Sequence, residues 1–162
     1  MGRARAVALG AVLVAAGCVK ADQVPPSPKW CVTNASHFMS SSAWRVLTYE
    51  LAAYNERTGH QLIVWIATEL PKDADVEAYC TKLFNAWALG RKDVDDGLAL
   101  FVFARDHQYR LRVGYGLLKA IPDRVAVQIG REVITPQLRA GRRDEAIRDA
   151  MHEIMRLIDS AG

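Results

Sequence analysis

Asp93, Asp95 and Asp96 stand in one charged stretch, Arg91 to Asp96, directly before Gly97. Hard cations want several carboxylate or carbonyl oxygens held close together, so these acids are candidate ligands. The spacing opens like an EF-hand loop, but the glycine falls one residue early and no glutamate closes the far end. A solvated acidic turn beside Arg91 and Lys92 is the competing reading. The same acids do not make an aspartate-nucleophile phosphatase motif. That motif needs its first acid at the end of a buried strand, and here the acids precede one. Arginines form two groups, Arg105 with Arg110 and Arg112, and Arg139 with Arg142 and Arg143. Guanidinium forks match phosphate and carboxylate geometry, so either group could meet an anion; solvated faces are the alternative.

Other catalytic signatures are missing. The chain has no G-x-S-x-G, H-E-x-x-H, P-loop or dinucleotide glycine fingerprint. His37, His60, His107 and His152 are scattered, without paired ligand spacing, and read as surface or capping residues. Ser40, Ser41 and Ser42 read as helix-capping oxygens rather than nucleophiles. No C-x-x-C pair exists, which removes thiol-redox and zinc-ribbon chemistry. Cys31 and Cys80 are a candidate disulfide in an oxidising compartment, or else two separate buried thiols.

The address of the chain is legible at its start. Arg3 and Arg5 precede an uninterrupted apolar run from Ala6 to Ala16, and small residues follow. This is the layout of a bacterial-type secretory signal over residues 1–21. The run is far shorter than the roughly 20 residues a membrane-spanning helix needs. Cleavage is expected before Asp22, or before Cys18 as the lipidated residue of a lipoprotein. In the second case a lipid anchor holds the protein at a membrane. The 162-residue chain has a formal charge of +3, but losing Arg3, Arg5 and Lys20 from its 21 basic residues leaves 18, against 18 acids. The basic balance belongs to the export signal, and the electrostatic case for a nucleic-acid partner goes with it.

A proline-rich tether at 22–29 leads into a single domain at 30–160. Trp44, Leu47, Leu51 and Tyr54 recur at helical spacing, with Gly59 as the stop. Gln61 to Thr68 reads as a strand covered on both faces. Asp75 caps a second helix with the apolar stripe Val76, Tyr79, Cys80, Leu83, Phe84 and Trp87, ending at Gly90. Gly97 to Ala104 is a second buried strand, hairpinned to Tyr109 to Val113. Asp123 opens a third helix that Pro136 ends or kinks. Asp144 caps a last helix running to about Ile158. Buried strands alternating with helices predict an α/β fold, an α/β/α sandwich whose small mixed sheet is flanked by about four helices.

Several pieces in order resemble the TPM domain family of exported bacterial and plant thylakoid-lumen proteins. They are Val32-Thr33-Asn34, Tyr54 with Thr58-Gly59 and Gln61-Leu62, Leu83-Phe84 with Trp87 and Leu89-Gly90, Asp95-Asp96-Gly97 with Leu100, and Arg112-Val113-Gly114-Tyr115-Gly116-Leu117. Pro136 and Gly141 fit the closing segment. The resemblance implies an α/β/α sandwich outside the cytoplasm. It also implies calcium or similar cation binding and, in plant relatives, an acid phosphatase activity; other relatives serve membrane proteins as accessory factors. This chain departs from the family at Asn34, where an aspartate is usual, and at Leu118, where a glutamate is usual. Asp95, Asp96 and Asp123 remain, with Asn34 as an uncharged fourth, so calcium or magnesium binding there is expected to be weak or absent. The first functional reading is therefore an exported envelope module serving a membrane or envelope protein, in the periplasm or on a lipid anchor. The alternative is a metal-assisted phosphomonoesterase using Asp95, Asp96 and Asp123.

Overall fold

A computed structural model describes residues 23–162, so the expected export signal, its expected cleavage site and Cys18 lie outside the described residues. Strand β1 spans Val32–Asn34, β2 Gln61–Ala67, β3 Gly97–Phe103 and β4 Gln108–Val113. Helix α1 spans Ser41–Thr58, α2 Val76–Trp87, α3 Asp123–Ile129, α4 Thr135–Arg139 and α5 Arg143–Ala161. The strands lie in the order β1-β2-β3-β4, with the first three parallel and β4 antiparallel to β3. Val32 sits beside Val64, Val64 beside Leu100, and Leu100 beside Leu111. The α/β sandwich and mixed sheet expected from the alternating elements are present.

All residues of β3 are buried, as an apolar strand covered on both faces requires. Its side chains alternate between two cores. Leu98, Leu100 and Val102 face the larger one, with Leu62, Val64 and Ile66 from β2, Leu47 and Leu51 from α1, and Met151 and Ile154 from α5. Ala99, Phe101 and Phe103 face the smaller one, which α2 covers with Val76, Tyr79, Cys80, Leu83 and Trp87. Aromatic contacts fill that side: Trp87 stacks on Phe101 at 5.7 Å and meets Trp65 edge-on at 5.7 Å. Both cores are built from residues between Val32 and Ile158.

Capping follows the expected chemistry at two helices. The Ser40 side chain accepts the Ala43 N–H at α1, and Asp75 accepts the Ala78 N–H at α2. Gly59 ends α1 in the left-handed region at φ +78°. Elsewhere the structure departs from the expectation. Strand β1 is not legible in the sequence, because three residues carry no readable period. Helix α2 stops at Ala88 rather than Gly90. Of the two outcomes expected at Pro136, an end or a kink, the helix does not end there. The chain stays helical through a π turn, Gly130–Ile134, where Thr135 N–H reaches back to the Gly130 carbonyl, and Pro136 sits in the first turn of α4. There its missing N–H costs little. Asp144 lies inside the first turn of α5, and its carboxylate accepts the Ser40 N–H at 2.9 Å instead of capping its own helix.

Cys31 and Cys80 are free thiols packed in different cores, Cys31 against the larger and Cys80 inside the smaller. The sheet separates them, which replaces the candidate disulfide with two separate thiols. The proline-rich segment has no regular structure over its described residues, yet it touches the domain: the Trp87 indole N–H donates to the Pro25 carbonyl at 2.9 Å. No described helix is long and apolar enough to cross a membrane.

Candidate functional site

The acidic loop lies where the parallel strands begin. Asp96 is buried to 1 % exposure and fully engaged. Its Oδ1 accepts the Arg91 backbone N–H at 2.7 Å, and its Oδ2 meets Arg91 Nε at 2.8 Å, Arg91 Nη2 at 2.6 Å and His60 Nδ1 at 2.9 Å. Burial by itself raises this carboxyl, but the hydrogen bonds from Arg91 and His60 outweigh it and hold the group down at about 2. Asp96 is thus the clasp of its own loop. Asp95 is exposed at φ +53°, and its Oδ2 accepts the Tyr115 N–H at 2.9 Å. Gly114 and Gly116 flank that contact. A Cβ on Gly114 would press into the Asp95 carbonyl, and one on Gly116 into the Val94 carbonyl, which explains the Gly-Tyr-Gly sequence. Asp123 is exposed in the first turn of α3.

Asn34 is committed elsewhere. Its Nδ2 donates to the Met39 carbonyl and its Oδ1 accepts the Met39 N–H, both at 2.9 Å. Three of the four residues expected to share a cation thus have side-chain oxygens engaged within the fold. Asp96 is saturated with positive donors, Asn34 has both side-chain polar atoms bonded to backbone, and Asp95 has one oxygen occupied. Among the described residues, no three His, Cys, Asp or Glu side chains converge as a metal site. The His60–Asp96 pair was missed because nothing in sequence links positions 36 apart.

The two arginine groups have different fates. Arg110 and Arg112 both pair with Glu77, at 3.1 and 2.6 Å, and Arg112 also bonds Thr81, so they fasten α2 onto β4. Arg105 pairs with Glu69 at 3.1 Å. Arg139, Arg142 and Arg143 have no ion pair among the described residues. Arg143 instead lies over the Phe38 ring at 5.2 Å.

Arg139 and Arg143 border a cleft of about 410 Å³ beyond the end of β3. Open α/β sheets usually bind ligands outside the carboxyl ends of their strands. Phe38, His107, Tyr109, Thr135, Arg139 and Arg143 help line it, and no carboxylate does. Three segments build it. The Asn34–Met39 clasp follows β1 and seats Phe38. The β3–β4 turn presents His107 at φ +52°, a backbone region that favours few side chains. The α4–α5 junction supplies the arginines, and the Asp144–Ser40 bond ties that junction to the segment carrying Phe38. Tyr109 Oη and Thr135 Oγ1 are 2.7 Å apart and join β4 to α4 across the cleft wall. A second groove between α3 and α5, of about 560 Å³, has its acids engaged within the chain: Asp149 with Gln137 and Arg148, Glu153 with Arg156, and Glu132 with Gln128.

Comparison with known proteins supports the architecture. The N-terminal domain of a protein from P. gingivalis, solved by NMR, superposes with a TM-score of 0.76 at 22 % identity, covering 89 % of this chain and 94 % of that one. The BA42 protein of Bizionia argentinensis gives 0.64 at 12 % identity, over 78 % and 86 %. The N-terminal domain of the cg2496 protein of Corynebacterium glutamicum gives 0.59 at 12 % identity, over 88 % and 90 %. At these identities the likeness is one of fold. No curated protein matches. A family model described as TPM domain matches residues 32–157, which takes in both cores up to the last residue, Ile158, the Asp96 clasp and the cleft, and the chain belongs to the TPM domain family.

Proposed function

We propose that this protein is an exported interaction module of the cell envelope, one that docks a partner rather than turning over a substrate. One contrast carries the reading. Two of the candidate cation ligands are bound into the fold, Asp96 by Arg91 and His60 and Asn34 by Met39, whereas the basic cleft stays open with Arg139 and Arg143 unpaired. The expected export signal over residues 1–21 and the proline-rich segment after it support a position outside the cytoplasm, on a lipid anchor if Cys18 is modified.

Affinity capture from detergent-solubilised envelope tests this. The expected result is a discrete partner enriched over a mock bait. A parallel assay offers a generic phosphomonoester with calcium, magnesium or manganese, at acid and neutral pH. Metal-dependent turnover lost in an Asp95→Asn variant, with no partner captured, would replace the module with the phosphomonoesterase.

A further inference from the structure

The cleft at the strand ends is asymmetric in charge. Arg139, Arg143 and His107 line it, and no acid answers them. Elsewhere Arg57, Arg91, Arg105, Arg110, Arg112, Arg148 and Arg156 each reach a carboxylate, whereas the two arginines of this cleft share one concave, acid-free site. Arg143 is also held in place. Its guanidinium lies over Phe38, which leaves its N–H edges free to donate. Beneath the basic groups the lining is apolar, with Phe38, Val102 and Leu138. An inorganic anion would satisfy the arginines and leave that floor in water. A ligand that fits both parts carries its negative charge on an apolar body.

The cleft also reaches Gln108 and Tyr109, the first residues of β4, and β4 is an edge strand paired only with β3. An extended chain can lie across such an edge while placing alternate side chains into an adjoining pocket. We infer that the cleft recognises an acidic, apolar segment of a partner protein, a Glu or Asp side chain next to a large apolar one. The carboxylate meets Arg139 and Arg143, with His107 beside it, and the apolar side chain covers Phe38, Val102 and Leu138. The inference rests on the interaction-module reading and names the chemistry of its partner.

The chain from residue 23 onward carries every described element and both cores, and it serves as the test protein. It is titrated, with backbone amide NMR shifts as the readout, against a capped peptide alternating glutamate with phenylalanine. The glutamine counterpart and inorganic phosphate are the comparison probes. Saturable shifts are expected at Phe38, His107, Gly141 and Arg143 with the glutamate peptide, and much weaker ones with the other two. Charge-assisted bonds of this kind predict a loss of about tenfold or more in affinity for Arg139→Ala with Arg143→Ala. Arg139→Lys should retain part of the binding, and Arg105→Ala, whose guanidinium is paired with Glu69, all of it. Arg139 is exposed, so Arg139→Ala alone serves if the double variant unfolds early.

No saturable shift in the cleft, unchanged affinity in the arginine variants, or saturable phosphate binding without peptide binding would each overturn the inference. Capture separates it from the broader reading. A partner retained equally by the double variant leaves the module standing and removes this cleft as its site. Peptide binding without any envelope partner leaves the recognition standing and removes the module.

Discussion

The Asn34 side chain makes two hydrogen bonds to one residue, accepting the Met39 N–H and donating to the Met39 carbonyl, each at 2.9 Å. The pair closes the 3₁₀ turn after β1 and fixes Phe38, which Arg143 covers. The amide is needed for both bonds. An aspartate can accept the N–H but cannot donate to the carbonyl. Asn34→Asp, the acid usual in the family, is therefore expected to destabilise the domain rather than restore a cation site. The cost is about 1–3 kcal/mol for a buried carbonyl left facing a carboxylate, read from the urea midpoint at unchanged slope. Equal or greater stability in this variant would mean that the clasp contributes nothing.

Asp96 gives the acid limb of stability its shape. Its folded-state carboxyl sits at about 2, below the ordinary value of 3.8. A depressed acid stabilises the fold fully above its unfolded value and loses that contribution as pH falls toward the folded value. Unfolding free energy should drop by about 2 kcal/mol between pH 4 and pH 2. Asp96→Asn should be less stable at neutral pH and should lose most of this slope. Denaturant titrations at successive pH values measure both.

Much of this fold follows from local pattern, and the site does not. Strands β2 and β3 are continuous apolar runs, and the α2 stripe returns every third or fourth residue. Both features survive in a single sequence because they belong to one segment. Strand β1 is too short to show a period, and its pairing with Val64 depends on β2. The π turn depends on a helix continuing past Pro136, which packing decides. The arginines at 139, 142 and 143 were visible as a group, but Phe38 and His107 join them only through the fold. Arg110 and Arg112 looked equally available, and Glu77 on a different element takes them. Charge spacing along one element says where a side chain points, and its partner comes from a neighbour.

Calcium and magnesium bear on the same residues. With Asp96 held by Arg91 and His60, and Asn34 by Met39, millimolar calcium or magnesium should leave the thermal midpoint of the folded domain unchanged within error. A ligand that binds only the folded state raises the midpoint with concentration. A saturable rise that Asp95→Asn abolishes would mean the loop opens to accept a cation.

Trp87 joins two parts of the chain through different atoms. Its ring stacks on Phe101 in the smaller core, while its indole N–H holds the Pro25 carbonyl. Trp87→Phe keeps an aromatic ring in the core and deletes the N–H. The expected result is faster proteolytic nicking within residues 23–29, with a thermal midpoint lowered by only a few degrees, since one neutral hydrogen bond contributes about 1 kcal/mol. Phe101→Ala is the contrasting case. It empties a fully buried site between Trp65 and Trp87 and should cost about 3–5 kcal/mol.

The thiols respond to different triggers because they sit in different surroundings. Burial pushes the Cys80 thiol up to about 12, well beyond the reach of neutral-pH reagents, and its side chain lies inside the α2 core. Cys31 is only partly buried, and the Asn55 amide donates to its sulfur at 3.5 Å. Burial raises its thiol as well, with the Asn55 bond acting against it. Since the thiolate is the reacting species, neither should react quickly, and Cys31 should react first. Alkylation of the folded chain from residue 23 onward, followed by mass spectrometry, should place one label on Cys31 and none on Cys80 until denaturant exposes it. The label on Cys80 should then appear at the rate of unfolding. Early labelling of Cys80 would show the smaller core opening locally. A mass two hydrogens short, with neither residue labelled, would show a disulfide that requires the sheet to part.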